Sequence, residues 1–186
     1  PAKATWLSFV TERIPTFELW RESFGKEISS WEELAKDTNP TPPKNSFARQ
    51  LTRDWLRLVA ENYFRIVTEA IRSYDSNHLI LGCRFVSDVP DEVMEVAGQY
   101  CDVVSVNLYP RFDPNEELPR TLSENLLHWH EVSKKPLIIS EWSVVGLDSG
   151  LPCTHGAGLR VENQFQRARF WEKVQETFFS APFIVG

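Results

Sequence analysis

Pro136-Leu137-Ile138-Ile139-Ser140-Glu141 opens on a residue that cannot donate a ladder hydrogen bond, runs through three apolar side chains and ends on a carboxylate. That is the pattern of a strand buried on both faces, with proline confined to its first position. Two runs upstream repeat it, Leu79-Ile80-Leu81-Gly82-Cys83 and Asp102-Val103-Val104-Ser105-Val106-Asn107-Leu108-Tyr109. A further run, Pro182-Phe183-Ile184-Val185-Gly186, closes the chain. Each is preceded by a helical pattern. The longest covers roughly 46–74, where Leu51, Trp55, Leu58, Val59, Ile66, Val67, Ala70, Ile71 and Tyr74 recur at three- and four-residue steps. Shorter helices are expected over 90–97, 119–132 and 161–179, with a Gly-, Ser- and Pro-rich loop at 146–158. Helix and buried strand in alternation mean a parallel sheet with right-handed crossovers. The last strand has no helix after it, and the first 45 or so residues are helical with no strand of their own. The expected fold class is therefore α/β: the C-terminal half, strands five to eight, of a TIM (β/α)8 barrel. Residues 1–186 are read as one domain, with 1–45 a helical insert after strand four and 46–186 carrying the four strands with their helices.

The insert has legible punctuation. Residues 1–13 read as a helix broken at Ile14-Pro15-Thr16, and 16–24 as a second helix closed by Gly25. Ser30 with Glu33 three residues on is an N-terminal capping pattern. Asn39-Pro40-Thr41-Pro42-Pro43 cannot be helix.

Composition narrows the function. The chain has 20 Lys+Arg against 26 Asp+Glu, a net charge of −6, and 12 Phe, 7 Trp and 4 Tyr. So much aromatic area excludes a largely disordered chain. The acidic balance argues against nucleic acid as a partner. No run approaches the ~20 apolar residues that span a bilayer, so no membrane is expected either. Cys83, Cys101 and Cys153 form no CxxC pair and read as buried thiols rather than a zinc set. No metal or cofactor is expected: phosphate loop, GxSxG and HExxH are all missing, and His128 and His130 straddle Trp129 on different helix faces.

In such barrels the chemistry sits at the carboxyl ends of the strands. The strand ends deliver Arg84 and Phe85, then Asn107 and Tyr109, then Glu141 and Trp142. Glu141 is the central candidate. A carboxylate fixed by a rigid strand can attack a sugar's anomeric carbon and form a covalent glycosyl-enzyme. Tyr109 can donate its phenol hydrogen bond to it, Arg84 can supply positive charge beside it, and Trp142 can stack on a sugar face. Ordinary roles compete with each of these. A carboxylate after a strand also serves as a loop charge, Tyr109 as a packing tyrosine, and Arg84 as a partner for Asp88. Trp142 also serves as rim filler and Asn107 as a turn residue. His155, in Cys153-Thr154-His155-Gly156, is a substrate-facing or solvent-exposed loop histidine.

These pieces, in order, resemble β-galactosidase-like and agarase-like glycoside hydrolases. The similar stretches are Glu61 through Arg65 with Asp75 through Phe85, then Asp102 through Tyr109 and Lys135 through Trp142, then Val161 through Ala168 and Ala181 through Gly186. Phe24-Gly25 through Leu34 resembles the helical insert these enzymes carry after strand four. The resemblance implies a retaining glycosidase acting on β-linked galactose- or glucose-type oligo- or polysaccharides. It makes Glu141 the nucleophile and Tyr109 its supporting donor, with Arg84, Phe85, Asn107, Trp142 and His155 around the substrate. It also implies a general acid/base Glu at the end of strand four. No such strand precedes Pro1, so that residue is expected upstream and the 186 residues alone are expected to be inactive. A polysaccharide substrate would favour an extracellular or periplasmic setting. Open barrel edges would invite self-association. The alternatives are a non-catalytic carbohydrate-binding or scaffold role, and a lyase acting on acidic sugars through Arg84.

Overall fold

The computed structural model describes residues 2–39, 41–86, 88–152 and 158–186. The chain packs as two compact units, Pro1–Glu61 and Asn62–Gly186, dividing inside its longest helix. The sequence reading drew no domain boundary.

The first unit is helical: α1 (Ala2–Thr11), α2 (Phe17–Phe24), α3 (Trp31–Lys36) and the beginning of α4 (Ser46–Arg72). Its helix ends follow the expected punctuation. The Thr16 side chain accepts from Leu19 N, and Gly25 closes α2 at φ 66° with its N–H on Arg21 O. Ser30 accepts from Glu33 N, while the Glu33 carboxylate takes the Ser29 N–H at 2.8 Å and its hydroxyl at 2.7 Å. The core gathers Phe9, Val10, Ile14, Trp20, Phe24, Leu34, Ala48 and Leu51. Trp20 is stacked between Phe17 at 5.5 Å and Phe24 at 5.3 Å. Offset aromatic pairs of this kind add to the area they bury.

The second unit holds a parallel sheet of β1 (Phe85–Val86), β2 (Val104–Asn107) and β3 (Leu137–Glu141), in that spatial order. Residues 183–186 continue it beside β3. Leu137 N donates to Phe183 O at 2.8 Å, Val185 N to Leu137 O at 2.9 Å, and Ile139 N to Gly186 O at 2.8 Å. So four extended segments lie side by side in sequence order. The connecting helices are α5 (Asp91–Tyr100), α6 (Arg120–Ser133) and α7 (Gln164–Ser180). α5 packs against α6 and α7 against β4, and Met94, Val96, Leu122, Leu126, Trp129, Phe170, Val174 and Phe178 of these helices are all buried.

Three features depart from the sequence reading. The run Leu79–Cys83 is not a strand, and pairing begins only at Phe85. Gly82, at φ 74°, turns the extended path, and the Ile80 N–H is taken by the Asp102 carboxylate at 2.8 Å instead of a ladder carbonyl. Leu79 and Leu81 are exposed accordingly. Secondly, the expected loop at 146–158 is flanked by a two-stranded parallel pair, β4 (Val144–Gly146) with β5 (Leu159–Val161). Thirdly, much of the α4 stripe lies open: Val59, Ile66, Val67, Ile71 and Tyr74 are exposed. Periodicity names the face of a helix but not what covers it.

Cys83 and Cys101 are free thiols; Cys101 is buried, whereas Cys83 is only half-buried, and burial pushes the Cys101 thiol up to about 11. Among the described residues no group of three His, Cys, Asp or Glu could hold a metal ion, and no helix is long and apolar enough to cross a membrane.

Candidate active site

The sheet brings Arg84, Asn107 and Glu141 together at the carboxyl ends of three neighbouring segments. Register does this: Val86 pairs with Asn107, and Asn107 with Glu141. Between β2 and β3 the ladder slips. Val106 faces Ile139, yet Asn107 faces Glu141, so Ser140 is an extra residue in the strand. Such bulges re-aim side chains and cluster beside active sites.

The polar contacts converge. Arg84 Nη2 donates to Glu141 Oε2, and Arg84 Nε donates to Asn107 Oδ1 at 3.3 Å. Asn107 Nδ2 lies 3.5 Å from the same Glu141 oxygen. Ser140 Oγ lies 2.9 Å from Asn107 Oδ1 and 3.2 Å from Val106 O. The Glu141 main chain is held as well, its carbonyl accepting from Leu108 N at 2.8 Å. Asn107 is buried, whereas the Arg84 and Glu141 side chains are each about half exposed. The result is a carboxylate with one face gripped by donors and the other open to solvent.

The other candidates are arranged differently. Tyr109 follows β2 and is half-buried, but no hydrogen bond joins it to Glu141. Trp142 turns toward α7, with its ring 4.1 Å from Trp171 and edge-on to Phe178 at 5.7 Å. Phe85 meets Phe64 of α4 edge-on at 6.2 Å. Arg84 pairs with Glu141, with no bond to Asp88. His155 lies outside the described residues, as does Cys153. Sequence reasoning passed over Ser140 as one more strand residue. The available signal was a hydroxyl directly before a carboxylate at a strand exit.

Comparison with known proteins follows this geometry. Residues 57–181 match the family model described as the TIM barrel domain of glycosyl hydrolases family 2. Among solved structures, an exo-β-agarase superposes on the whole chain with a TM-score of 0.75 at 28% identity. The agarase AgWH50C does so at 0.72 and 28%, and PfGH50B at 0.73 and 28%. This chain covers 24%, 25% and 26% of those three proteins, about a quarter of their length. A search of the curated proteins returns no match.

Proposed function

Since the chain belongs to the TIM-barrel glycosyl hydrolases of family 2, within the β-galactosidase-like superfamily, we propose that it supplies strands five to eight of such a barrel and its nucleophile, Glu141. Residues 1–45 are then the helical insert after strand four. The whole enzyme cleaves O-glycosidic bonds in β-linked galactose- or glucose-type saccharides with retention of configuration. Two of the structural neighbours are agarases, which supports a galactose-type polysaccharide.

The observation that carries this reading is the convergence of Arg84 and Asn107 on one oxygen of Glu141 at the sheet's carboxyl edge. In the first step a Glu141 oxygen attacks the anomeric carbon. The glycosidic C–O bond breaks, and the leaving oxygen takes a proton from the general acid. In the second step that same residue removes a proton from water, whose oxygen displaces Glu141 and restores the free carboxylate. Retention requires the two carboxyl groups ~5–5.5 Å apart. The acid/base lies on strand four, outside the four strands assigned here, so these strands alone are expected not to turn over substrate.

Arg84 balances the charge that Glu141 regains when the intermediate breaks down. Tyr109 sits two residues past Asn107 on the same strand end; as supporting donor, its hydroxyl reaches Glu141 once substrate is bound. Phe85 and Trp142, each packed on one side by a helix aromatic, wall the cleft with the ring area left over. His155, which lies outside the described residues, keeps its substrate-binding assignment on the sequence reading.

A fluorosugar with a good leaving group tests the assignment in the full-length protein that contains this chain. Covalent mass should appear on the peptide bearing Glu141, and Glu141→Gln should abolish labelling and turnover while the melting curve stays in place. Unchanged turnover in Glu141→Gln refutes it. Binding without labelling by the unaltered protein would favour a carbohydrate-binding role instead.

A further inference from the structure

We propose that Ser140 is a positioning residue: it fixes the side-chain amide of Asn107 so that the NH2 group, not the carbonyl, faces Glu141. This rests on the reading of Glu141 as nucleophile.

An asparagine amide presents a donor on one side and an acceptor on the other, and a half-turn exchanges them at almost no steric cost. Beside an ionised carboxylate the two orientations are opposite in effect. One donates a hydrogen bond, and the other sets oxygen against oxygen. What surrounds Asn107 therefore decides whether it helps or harms Glu141. Arg84 Nε–H can only donate, and it lies 3.3 Å from Oδ1. That is a long bond, and Arg84 is exposed and shared with Glu141. Ser140 Oγ lies closer, 2.9 Å from the same oxygen. Asn107 is buried on β2, while Ser140 and Arg84 lie toward solvent.

Backbone geometry makes this contact possible. In an unbroken strand, successive side chains take opposite faces of the sheet. Ser140 and Glu141 are successive, yet both reach Asn107. They do so because the ladder slips by one residue at this point. The bulge thus gives one asparagine two neighbours from one strand: a hydroxyl that orients it and a carboxylate that it serves. Any residue would fill the bulge, but a hydroxyl adds a donor there, and its one proton goes to Asn107 Oδ1 at 2.9 Å rather than to Val106 O at 3.2 Å.

The experiment compares Ser140→Ala, Ser140→Thr, Asn107→Ala and the Ser140→Ala/Asn107→Ala double variant of the full-length protein. It measures the rate constant for inactivation by the activated fluorosugar, together with kcat and KM. A displaced reacting group costs up to about a hundredfold. Ser140→Ala should lower the inactivation rate constant and kcat about ten- to a hundredfold with KM nearly unchanged. Ser140→Thr should restore most of that loss. In the Asn107→Ala background, Ser140→Ala should cost nothing more, because the group it orients is gone. Wild-type inactivation by Ser140→Ala overturns the proposal. So does a Thr variant as slow as the Ala variant, or a full further loss in the double variant. If Ser140→Ala fails to fold, Ser140→Cys, close in size but only a weak donor, replaces it alone and in the double variant, with the same outcomes deciding. Labelling that survives Glu141→Gln would sink the nucleophile reading and this proposal with it. Labelling lost in Glu141→Gln but unaffected in Ser140→Ala sinks this proposal alone.

Discussion

Asp102→Asn tests how the chain entering the candidate site is anchored. The Asp102 carboxylate stands just before β2. One oxygen accepts from Ile80 N at 2.8 Å and from Arg72 Nη2 at 2.7 Å. Arg72 Nη1 reaches His78 O at 2.7 Å. The carboxylate thus ties the end of α4 and the irregular segment leading to Arg84 onto the sheet. The Ile80 N–H is the largest cause holding its pKa below the ordinary carboxylate value; desolvation, next in size, opposes it, and the charge and hydrogen bond of Arg72 add to the lowering. Hydrogen bonds to a charged group contribute roughly 1.5–3 kcal/mol each, against about 1 for neutral ones. Asparagine keeps a carbonyl acceptor and loses only the excess. Both partners are about a third exposed, at 33% and 37%, and solvent screening reduces it further. The expected loss is about 1–2 kcal/mol at pH 7, or roughly 2–4 °C in melting temperature per kcal/mol. A carboxyl whose folded pKa is depressed stabilises above its unfolded value, near ~3.9, and that stabilisation disappears as pH falls through the folded value. The gap between parent and variant should therefore be constant from pH 7 to about 5 and close below about 4. Urea unfolding at several pH values measures it, and the other carboxylates cancel because both proteins carry them. A gap as wide at pH 3.5 as at pH 7, or no gap at pH 7, would refute the anchoring role.

Two further perturbations probe packing and the site. In Gly98→Ala the new methyl would stand 2.7 Å from the Ser133 carbonyl carbon and 2.9 Å from its Cα, with the carbonyl oxygen nearer still. Backbone cannot yield as a side-chain tip does, so the clash outweighs the ~1 kcal/mol that alanine gains over glycine in a helix. A net loss of roughly 1–3 kcal/mol in thermal or urea unfolding is expected; a stabilised variant would show that α5 and α6 are not in tight contact. Arg84→Met removes a half-exposed ion pair, which contributes about 0–1 kcal/mol to stability. Its melting temperature should move by a few degrees at most, while turnover by the full-length protein should fall by about a hundredfold or more. Equal losses in stability and turnover would count against a role at the reacting carboxylate.

The elements that read correctly from sequence are those whose cause is local. Thr16, Gly25 and Ser30 cap because their own side chains or missing Cβ settle nearby backbone groups. The strands around Val104–Asn107 and Leu137–Glu141 announce themselves by short runs dominated by apolar residues. What failed depends on distant partners. Leu79–Cys83 has strand composition, but Asp102, some twenty residues on, takes the amide that a ladder would need. The β4–β5 pair joins three residues on each side of a loop, and its parallel pairing leaves no turn signature. The exposed half of α4 shows the same limit from the other side, since an apolar stripe specifies a face and not its neighbour.

The candidate site was half legible for a related reason. Arg84, Asn107 and Glu141 could be proposed because strand ends in a parallel sheet share one edge, whatever the details of pairing. Their convergence on a single carboxylate oxygen depends on register, and register here includes a slip that composition does not signal. Counting residues along β3 assumes a regular strand, and regularity ends at Ser140. Beyond that point Trp142 packs against the aromatics of α7. A substitution that straightened β3 would therefore be felt first in chemistry and only secondarily in stability. The pairing of Leu137 with its neighbours on both sides would survive, while the geometry joining Ser140, Asn107 and Glu141 would not.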